Sequence, residues 1–274
     1  MAELKKALET DPRNADVAGN LGQTYTLMRE WNEAERMCRN ALSFDPHDVI
    51  GMRALLLTTI NSSGDATKAL RIAENFPPGE KAITVSISGT IASVTGERAY
   101  AFVLARNFDG AFKVWDAPAR DPVDTRRRLA ARVAIRVVSG DLTAARPEAE
   151  EGAKLLEARL QERPDELLTL RQLSWTDLAL GRKDDALRLA QKASDLLPPE
   201  RDALLGTASL AGLAEIKART NATADAVGLL RRLLSVPAGE SVSIARLKID
   251  PVWDPIRNDP QFQQLLTMKE HVGP

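Results

Sequence analysis

The stretch Asn14–Asp48, NADVAGNLGQTYTLMREWNEAERMCRNALSFDPHD, decides how this chain folds. Its apolar and small residues recur at helical spacing on both sides of a polar turn, which predicts two helices packed as a hairpin. Gly22 and Ala34 stand where the two helices must approach closely, because a larger side chain there would hold them apart. Tyr25 supplies apolar bulk around that contact. Pro46 ends the second helix, since proline cannot continue one.

The same helix–turn–helix unit recurs along the chain. The interval between prolines that end successive units, Pro12 to Pro46 and Pro164 to Pro198, is 34 residues. This period, with small residues at the helix contacts, is the pattern of the tetratricopeptide (TPR) repeat. The opening stretch and Leu167–Pro198 resemble that repeat over their whole length, and other units resemble it in part. The resemblance implies an all-α fold, an α-α superhelix (a TPR-like solenoid) of about six helical hairpins.

The predicted organisation is a single solenoid over residues 1–274, with a lead-in helix at 1–12 and a C-terminal capping segment at 241–274. The lead-in helix has the pattern of a second helix without its first, so we expect the chain to be cut from a longer protein. In the capping segment, Trp253 and Phe262 are expected to cover the apolar end of the array, as a terminal repeat must to stay soluble.

Residues 80–105 fit two patterns. Their β-branched residues lie on one face of a helix, yet those at 83–87 also alternate as in a strand. Because the flanking segments are predicted to be helical, we predict a helix here, interrupted near Gly89 or Gly96.

Composition limits the function classes. The 44% apolar and 4% aromatic residues suit helices packed through small side chains better than a β-sandwich. Lys and Arg number 37 against 38 Asp and Glu, so no overall field attracts nucleic acid or an anionic membrane. No apolar run approaches the roughly 20 residues that cross a bilayer. The only cysteine, Cys38, excludes an internal disulfide and a cysteine-based zinc cluster. Its packing position predicts a buried structural thiol.

The C-terminal third carries a finer resemblance. The runs LQERPDELLTLRQLSWTDLALGRKDDALRLAQKASDLLPPERDAL (160–204) and ARLKIDPVWDPIRNDPQFQQLL (245–266) are similar to C-terminal TPR regions of bacterial signalling proteins. There, such arrays follow a serine/threonine kinase, a nucleotide cyclase or a winged-helix DNA-binding domain. The resemblance implies a sensory or scaffolding module. This chain has no Gly-rich loop, no HRD or DFG triplet and no P-loop, so we predict no enzymatic activity, no cofactor and no catalytic or metal residue.

The resemblance also implies that peptides bind on the concave face formed by the first helix of each hairpin. Arg128, Arg132 and Arg136 recur every four residues and predict a basic stripe on one such helix. Guanidinium groups pair bidentately with carboxylates, so an acidic peptide is the expected ligand. The alternative is a solvated face whose charges pair with Glu148, Glu150 or Glu151, in which each exposed pair contributes only about 0.2–1 kcal/mol.

Two further side chains are candidate partner-binding residues. Trp175 on a first helix could anchor a partner, or could pack in the core against the neighbouring repeat. Asn20 stands at one Asn position of the carboxylate clamp of chaperone-binding TPR domains. The next helix offers Ala54 or Leu55 in place of the second Asn, so the clamp is incomplete, and Asn20 alone is more often a polar surface residue.

Two functions remain open. The leading prediction is a non-enzymatic scaffold that binds a protein or peptide partner in the concave groove, with no nucleic-acid or membrane partner for this chain. The alternative is a self-association module that makes a homodimer of a kinase or cyclase. We predict a cytoplasmic location, with the periplasm as the alternative for a membrane-anchored regulator.

Overall fold

The computed structural model describes residues 1–76, 82–84, 91–116 and 122–274, which are mostly helical. The helices of the first half are α1 (Ala2–Thr10), α2 (Ala15–Leu27), α3 (Trp31–Phe44), α4 (Val49–Ser63), α5 (Ala66–Glu74), α6 (Val94–Leu104) and α7 (Phe108–Val114). Those of the second half are α8 (Pro122–Ser139), α9 (Leu142–Glu162), α10 (Leu167–Ala179), α11 (Lys183–Leu196), α12 (Leu205–Arg219), α13 (Thr223–Leu234), α14 (Ile244–Ile249) and α15 (Pro260–Leu265). A 3-10 helix spans Pro251–Ile256.

After α1, the even-numbered helices α2 to α12 are the first helices of successive pairs, and the odd-numbered helices α3 to α13 are the second helices. Direct packing joins α2 with α3, α4 with α5, α8 with α9, and α10 with α11. These elements confirm the predicted fold class, an all-α protein of the α-α superhelix class, and agree with about six predicted pairs behind a lead-in helix.

Local chemistry explains where these helices start and stop. The Asn14 side chain begins α2 by accepting a hydrogen bond from the Val17 N–H at 3.0 Å. Asp48 begins α4 in the same way, accepting from the Gly51 N–H at 2.9 Å. Gly64 ends α4 at a φ of 66°, a left-handed conformation that glycine adopts without strain.

The internal contacts of the chain divide it into two compact units. Unit 1 comprises Met1–Ala105, Arg232–Ile249 and Leu266–Pro274. One of its apolar clusters contains Leu21, Tyr25, Ala34 and Met37, with Leu4 and Leu8 of α1 packed against it. A second cluster joins α4, α5 and α6 around Leu56 and Ile60. α14 packs directly on α4, so unit 1 is built from both ends of the sequence.

Unit 2 comprises Arg106–Arg231 and Asp250–Leu265. One apolar cluster joins α9, α10 and α11 around Leu156 and Leu170. The 3-10 helix packs on α12 and on α8, and its Trp253 stacks on Phe262 with 6.3 Å between ring centroids.

The predicted organisation, a single solenoid over residues 1–274 with a lead-in helix at 1–12 and a capping segment at 241–274, stays a prediction. The contacts within the chain group its residues into the two units described above. Residues of the predicted capping segment pack on α4 in unit 1 and on α8 and α12 in unit 2. These helices lie far from the C-terminus in sequence, so no local pattern could indicate the contacts.

The predicted helix over 80–105 is wrong in its first part. Ala82–Thr84 and Ile91–Ser93 are short strands that pair antiparallel, with Ile83 opposite Ala92. The alternation of β-branched residues therefore outweighed the helical flanks. Helix resumes at Val94 and includes Gly96, while Gly89 lies outside the described residues.

Candidate binding face on the first helices

The first helices carry few exposed side chains. α12 has none, and in α4 only Ser62 and Ser63 at its end are exposed. The second helix α11, in contrast, exposes Arg188 and the charged run Lys183–Asp185. A helix buried all round must be covered on the face that points away from its partner helix. In unit 1, α2 and α3 pack on α4, and α14 from the C-terminal part of the chain packs on it as well.

Residues 236–249, here called the return segment, lie against a set of polar side chains from α2, α4 and the turn after α2. We call this set the α2–α4 face, and it consists of Gln23, Thr26, Arg29, Arg53 and Asn61. Its contacts with the return segment centre on one carboxylate, one glycine and several backbone carbonyls.

The carboxylate belongs to Glu240, which is only 7% exposed. Arg53 Nη1 lies 2.6 Å from Glu240 Oε1, and Gln23 Nε2 donates to Glu240 Oε2 at 3.1 Å. Arg53 Nε also donates to Glu97 Oε1 at 2.9 Å. Burial lowers the pKa of Arg53, but the charges of Glu240 and Glu97 raise it by more, so the guanidinium stays charged. Asn61 Nδ2 reaches the Glu240 carbonyl at 3.5 Å.

The glycine is Gly239, where the return segment comes closest to α2. Its N–H donates to the Leu27 carbonyl at 2.8 Å. A Cβ added at this position would lie 2.2 Å from the Thr26 carbonyl oxygen and 2.7 Å from Cγ of Arg29. Glycine is therefore required here by close approach and not by an unusual φ.

The backbone carbonyls are bound by Arg29, which is 2% exposed. Its guanidinium donates to the carbonyls of Val236 at 2.7 Å, Leu233 at 3.0 Å, Val242 at 3.0 Å and His271 at 3.1 Å. Glu270 Oε2 lies 2.8 Å from Arg29 Nε and supplies the counter-charge. Burial lowers the pKa of Arg29, and Glu270 offsets part of this effect. One side chain thus joins the return segment to the C-terminal tail (Leu266–Pro274).

Sequence reasoning missed this face, because it assigned no role to Arg29, Arg53 or Glu240. Arg29 and Val236 lie 207 residues apart, and Gln23 and Glu240 lie 217 apart. Patterns of residue spacing describe neighbouring turns and helices, so they cannot indicate contacts between residues so far apart in sequence. A weak signal was available in the low polarity of α4, whose buried face exceeds what one partner helix covers.

The predicted basic stripe, Arg128, Arg132 and Arg136, lies in unit 2. Two of its three arginines already have partners within that unit. Arg132 Nε donates to Glu148 Oε1 at 2.6 Å, and Arg136 Nε donates to Glu148 Oε2 at 3.1 Å. Both guanidinium groups also stack over the Phe112 ring, at 5.3 and 4.7 Å from its centroid. Glu148 belongs to α9, so these two side chains point towards their second helix. Among the described residues, the buried Nε of Arg128 has no hydrogen-bond partner.

The other two candidates have local partners as well. Trp175 is partly buried against the cluster of α8, α9 and α10 that includes Val133, and Arg219 lies over its ring at 5.4 Å. Asn20 Nδ2 donates to the Asp16 carbonyl one turn earlier at 2.7 Å. The partner-binding role of Arg128, Arg132, Arg136, Trp175 and Asn20 stays a prediction.

Within the described residues, no group of three His, Cys, Asp or Glu side chains could hold a metal ion. The same residues include no helix with the length and apolar character that crossing a membrane requires.

Fold and face together describe an all-α chain of helical hairpins, in which side chains of α2, the turn after it and α4 bind a non-helical segment of the same chain. A family model described as tetratricopeptide repeat matches residues 3–36, which cover α1, α2 and the start of α3. No curated protein sequence matches the chain significantly.

Solved structures offer distant similarities. The MamA protein is 14% identical, with a TM-score of 0.37 over 70% of this chain and 95% of that one. The APC/C hetero-tetramer Cut9-Hcn1 is 15% identical, with a TM-score of 0.48 over 97% of this chain and 51% of that one. Naa15/Naa10 bound to HypK-THB is 14% identical, with a TM-score of 0.32 over 95% and 48%. This chain therefore spans about half the length of the latter two.

Proposed function

We propose that this chain is a non-enzymatic protein-interaction scaffold whose first helices bind non-helical segments of protein chain. The observation that carries the proposal is the α2–α4 face, where side chains of two successive hairpins bind a turn through its carboxylate and its carbonyls. Such contacts, made by side chains on a rigid helical frame, are those by which a repeat array recognises a peptide.

The fold supports binding better than catalysis. Arg29 and Arg53 are held by carboxylates and backbone carbonyls, so the charged groups of this face are engaged in binding contacts. Guanidinium groups in fixed positions select carboxylates and backbone oxygens, which are the groups that a protein partner offers.

The assignment to a particular class of protein rests on the sequence resemblance. The similarity of residues 160–204 and 245–266 to C-terminal TPR regions favours a module of a bacterial signalling protein. An acidic partner segment and a cytoplasmic location belong to the same proposal, and homodimerisation through the array is its alternative.

Site-specific photo-crosslinking tests the scaffold function. Gln172 on the first helix α10 and Gln191 on the second helix α11 form a matched pair, each replaced in turn by a photo-reactive amino acid. We expect a partner adduct from a lysate of the source cell at Gln172 and none at Gln191. Adducts at Gln191 alone, or at neither position, would contradict the proposal. An adduct of the chain with itself at Gln172 would favour the homodimer.

A further inference from the structure

The return segment contacts the α2–α4 face in the manner of a ligand. Ser241 and Val242 both donate their N–H to the Ala238 carbonyl, at 2.9 and 3.0 Å, so Ala238–Val242 form a compact turn. The turn presents Gly239 to the end of α2 and the Glu240 carboxylate to Arg53 and Gln23.

The contacts separate into generic and selective ones. Arg29 binds backbone carbonyls on both sides of the turn, those of Val236 and Val242, and any polypeptide can supply such groups. Two positions of the turn are selected by chemistry. Position 239 has no room for a Cβ beside the Thr26 carbonyl, and position 240 must carry a carboxylate that reaches Arg53.

Charge alone would not hold the turn in place. Arg53 already has Glu97 as a partner at 2.9 Å, so it keeps a counter-charge when Glu240 leaves. Departure of the turn therefore leaves no buried, unpaired cation at Arg53, in contrast to the breaking of an isolated buried pair. The site suits exchange of one carboxylate for another.

We propose that the α2–α4 face is a recognition site for a glycine–glutamate turn, which Ala238–Val242 occupy in the free chain and which a partner segment of the same chemistry takes over. This inference rests on the proposed scaffold function and names the ligand of one of its faces. Because the chain's own turn occupies the face, a partner binds only those molecules whose face is free. The apparent affinity for the partner is the intrinsic affinity multiplied by that free fraction.

The test uses a labelled synthetic peptide with the sequence of residues 234–246, LSVPAGESVSIAR, and measures its binding to the full chain by fluorescence anisotropy. Gly239→Ala replaces no residue of the face but weakens binding of the internal turn to it, because the added Cβ would overlap the Thr26 carbonyl and the Arg29 side chain. We expect this variant to bind the peptide about ten-fold more tightly than the wild type, since more faces are free. Gly228→Ala is the matched control, because a Cβ at Gly228 meets nothing within 4 Å.

The same variant, Gly239→Ala, tests whether the face selects a glutamate. A peptide in which the glutamate is replaced by glutamine should bind about ten-fold more weakly, and a second substitution, Arg53→Ala, should remove the preference. Equal binding of the two peptides, or equal binding by Gly239→Ala and Gly228→Ala, would overturn the proposal. The crosslinking test at Gln172 concerns unit 2, so the scaffold function could hold while this inference fails.

If Gly239→Ala does not fold, hydrogen exchange in the wild type tests whether the peptide displaces the chain's own turn. Saturating peptide should speed exchange of the chain's own Gly239 amide about ten-fold, because that amide loses its bond to Leu27. An unchanged rate at saturating peptide would show that the turn is a fixed part of unit 1 and would overturn the proposal.

Discussion

Gly22 determines how closely α2 and α3 pack. A Cβ at this position would lie 2.5 Å from Cys38 Sγ and 3.2 Å from the Cys38 nitrogen, so Gly22→Ala overpacks the contact. We expect a loss of roughly 1–3 kcal/mol in the free energy of unfolding, measured by chemical denaturation.

Two variants make the Gly22 result interpretable. Gly228→Ala, in open space on α13, should be neutral or stabilising by about 0.4–1 kcal/mol. Adding Cys38→Ala to Gly22→Ala removes the nearest atom and should recover part of the loss. If Gly22→Ala is as well tolerated as Gly228→Ala, the predicted close contact of the first hairpin is wrong.

The Asp177 carboxyl is 3% exposed on α10, and burial raises its pKa to about 6, from 3.8. Arg182 lowers the pKa in part, while Asp185 and Glu157 raise it further. Because the pKa is higher in the folded state, the stabilising share of the protonated carboxyl is complete below about pH 4 and is lost as the pH rises through about 6.

Asp177→Asn cannot ionise and should not show that loss. The free energy of unfolding of the variant, relative to the wild type, should therefore increase between about pH 4 and about pH 7. Denaturant titrations at both pH values measure the difference. A constant difference would mean that Asp177 is not desolvated in the folded chain.

At the scale of elements, an ion pair with the buried Arg29 helps to hold the C-terminal tail on unit 1. Glu270 Oε1 accepts the Ile244 N–H at 2.7 Å, and Oε2 lies 2.8 Å from Arg29 Nε. Glu270→Ala leaves the Arg29 guanidinium buried without its counter-charge, which costs roughly 3–5 kcal/mol for such pairs. We expect this loss in chemical denaturation, together with faster limited proteolysis within residues 266–274.

The control for Glu270 is a surface pair of the same kind. Arg188 and Asp185 lie 2.9 Å apart on α11 and are both more than half exposed. Asp185→Ala should change the free energy of unfolding by only about 0.2–1 kcal/mol. Similar losses for Glu270→Ala and Asp185→Ala would contradict the buried role of Arg29.

The elements that could be predicted from sequence are those specified by nearby residues. α2 and α3 follow from Gly22, Ala34 and Pro46 because spacing, small residues and a proline act within one hairpin. The strands at 82–84 and 91–93 were misjudged because the same β-branched residues fit both periods. The helical segments on either side favour a helix here, and that prediction is wrong for residues 82–84 and 91–93.

At the scale of the molecule, the sequence predicted the helical pairs but not the route of the C-terminal end. Arg29, Arg53 and Glu240 look like ordinary surface charges in a hairpin pattern. Their roles arise only when residues far apart in sequence meet, such as Arg29 with Val236 at 207 positions and Arg53 with Glu240 at 187. The candidate face was therefore not detectable from periodicity. Arginine–carboxylate pairing occurs there at Arg53 with Glu240 and Glu97, and it occurs in the predicted stripe at Arg132 and Arg136 with Glu148.

The central claim is that the chain's own return segment and tail occupy the α2–α4 face in the free protein. Native-state hydrogen exchange at two amides tests it directly, because Gly239 donates to the Leu27 carbonyl at 2.8 Å and Gly273 donates to the Met28 carbonyl at 2.9 Å. Both should be protected in the wild type, and Arg29→Ala should expose both while the Leu180 amide in unit 2 stays protected. Exchange of Gly239 and Gly273 in the wild type at the rate of an unstructured peptide would contradict the claim.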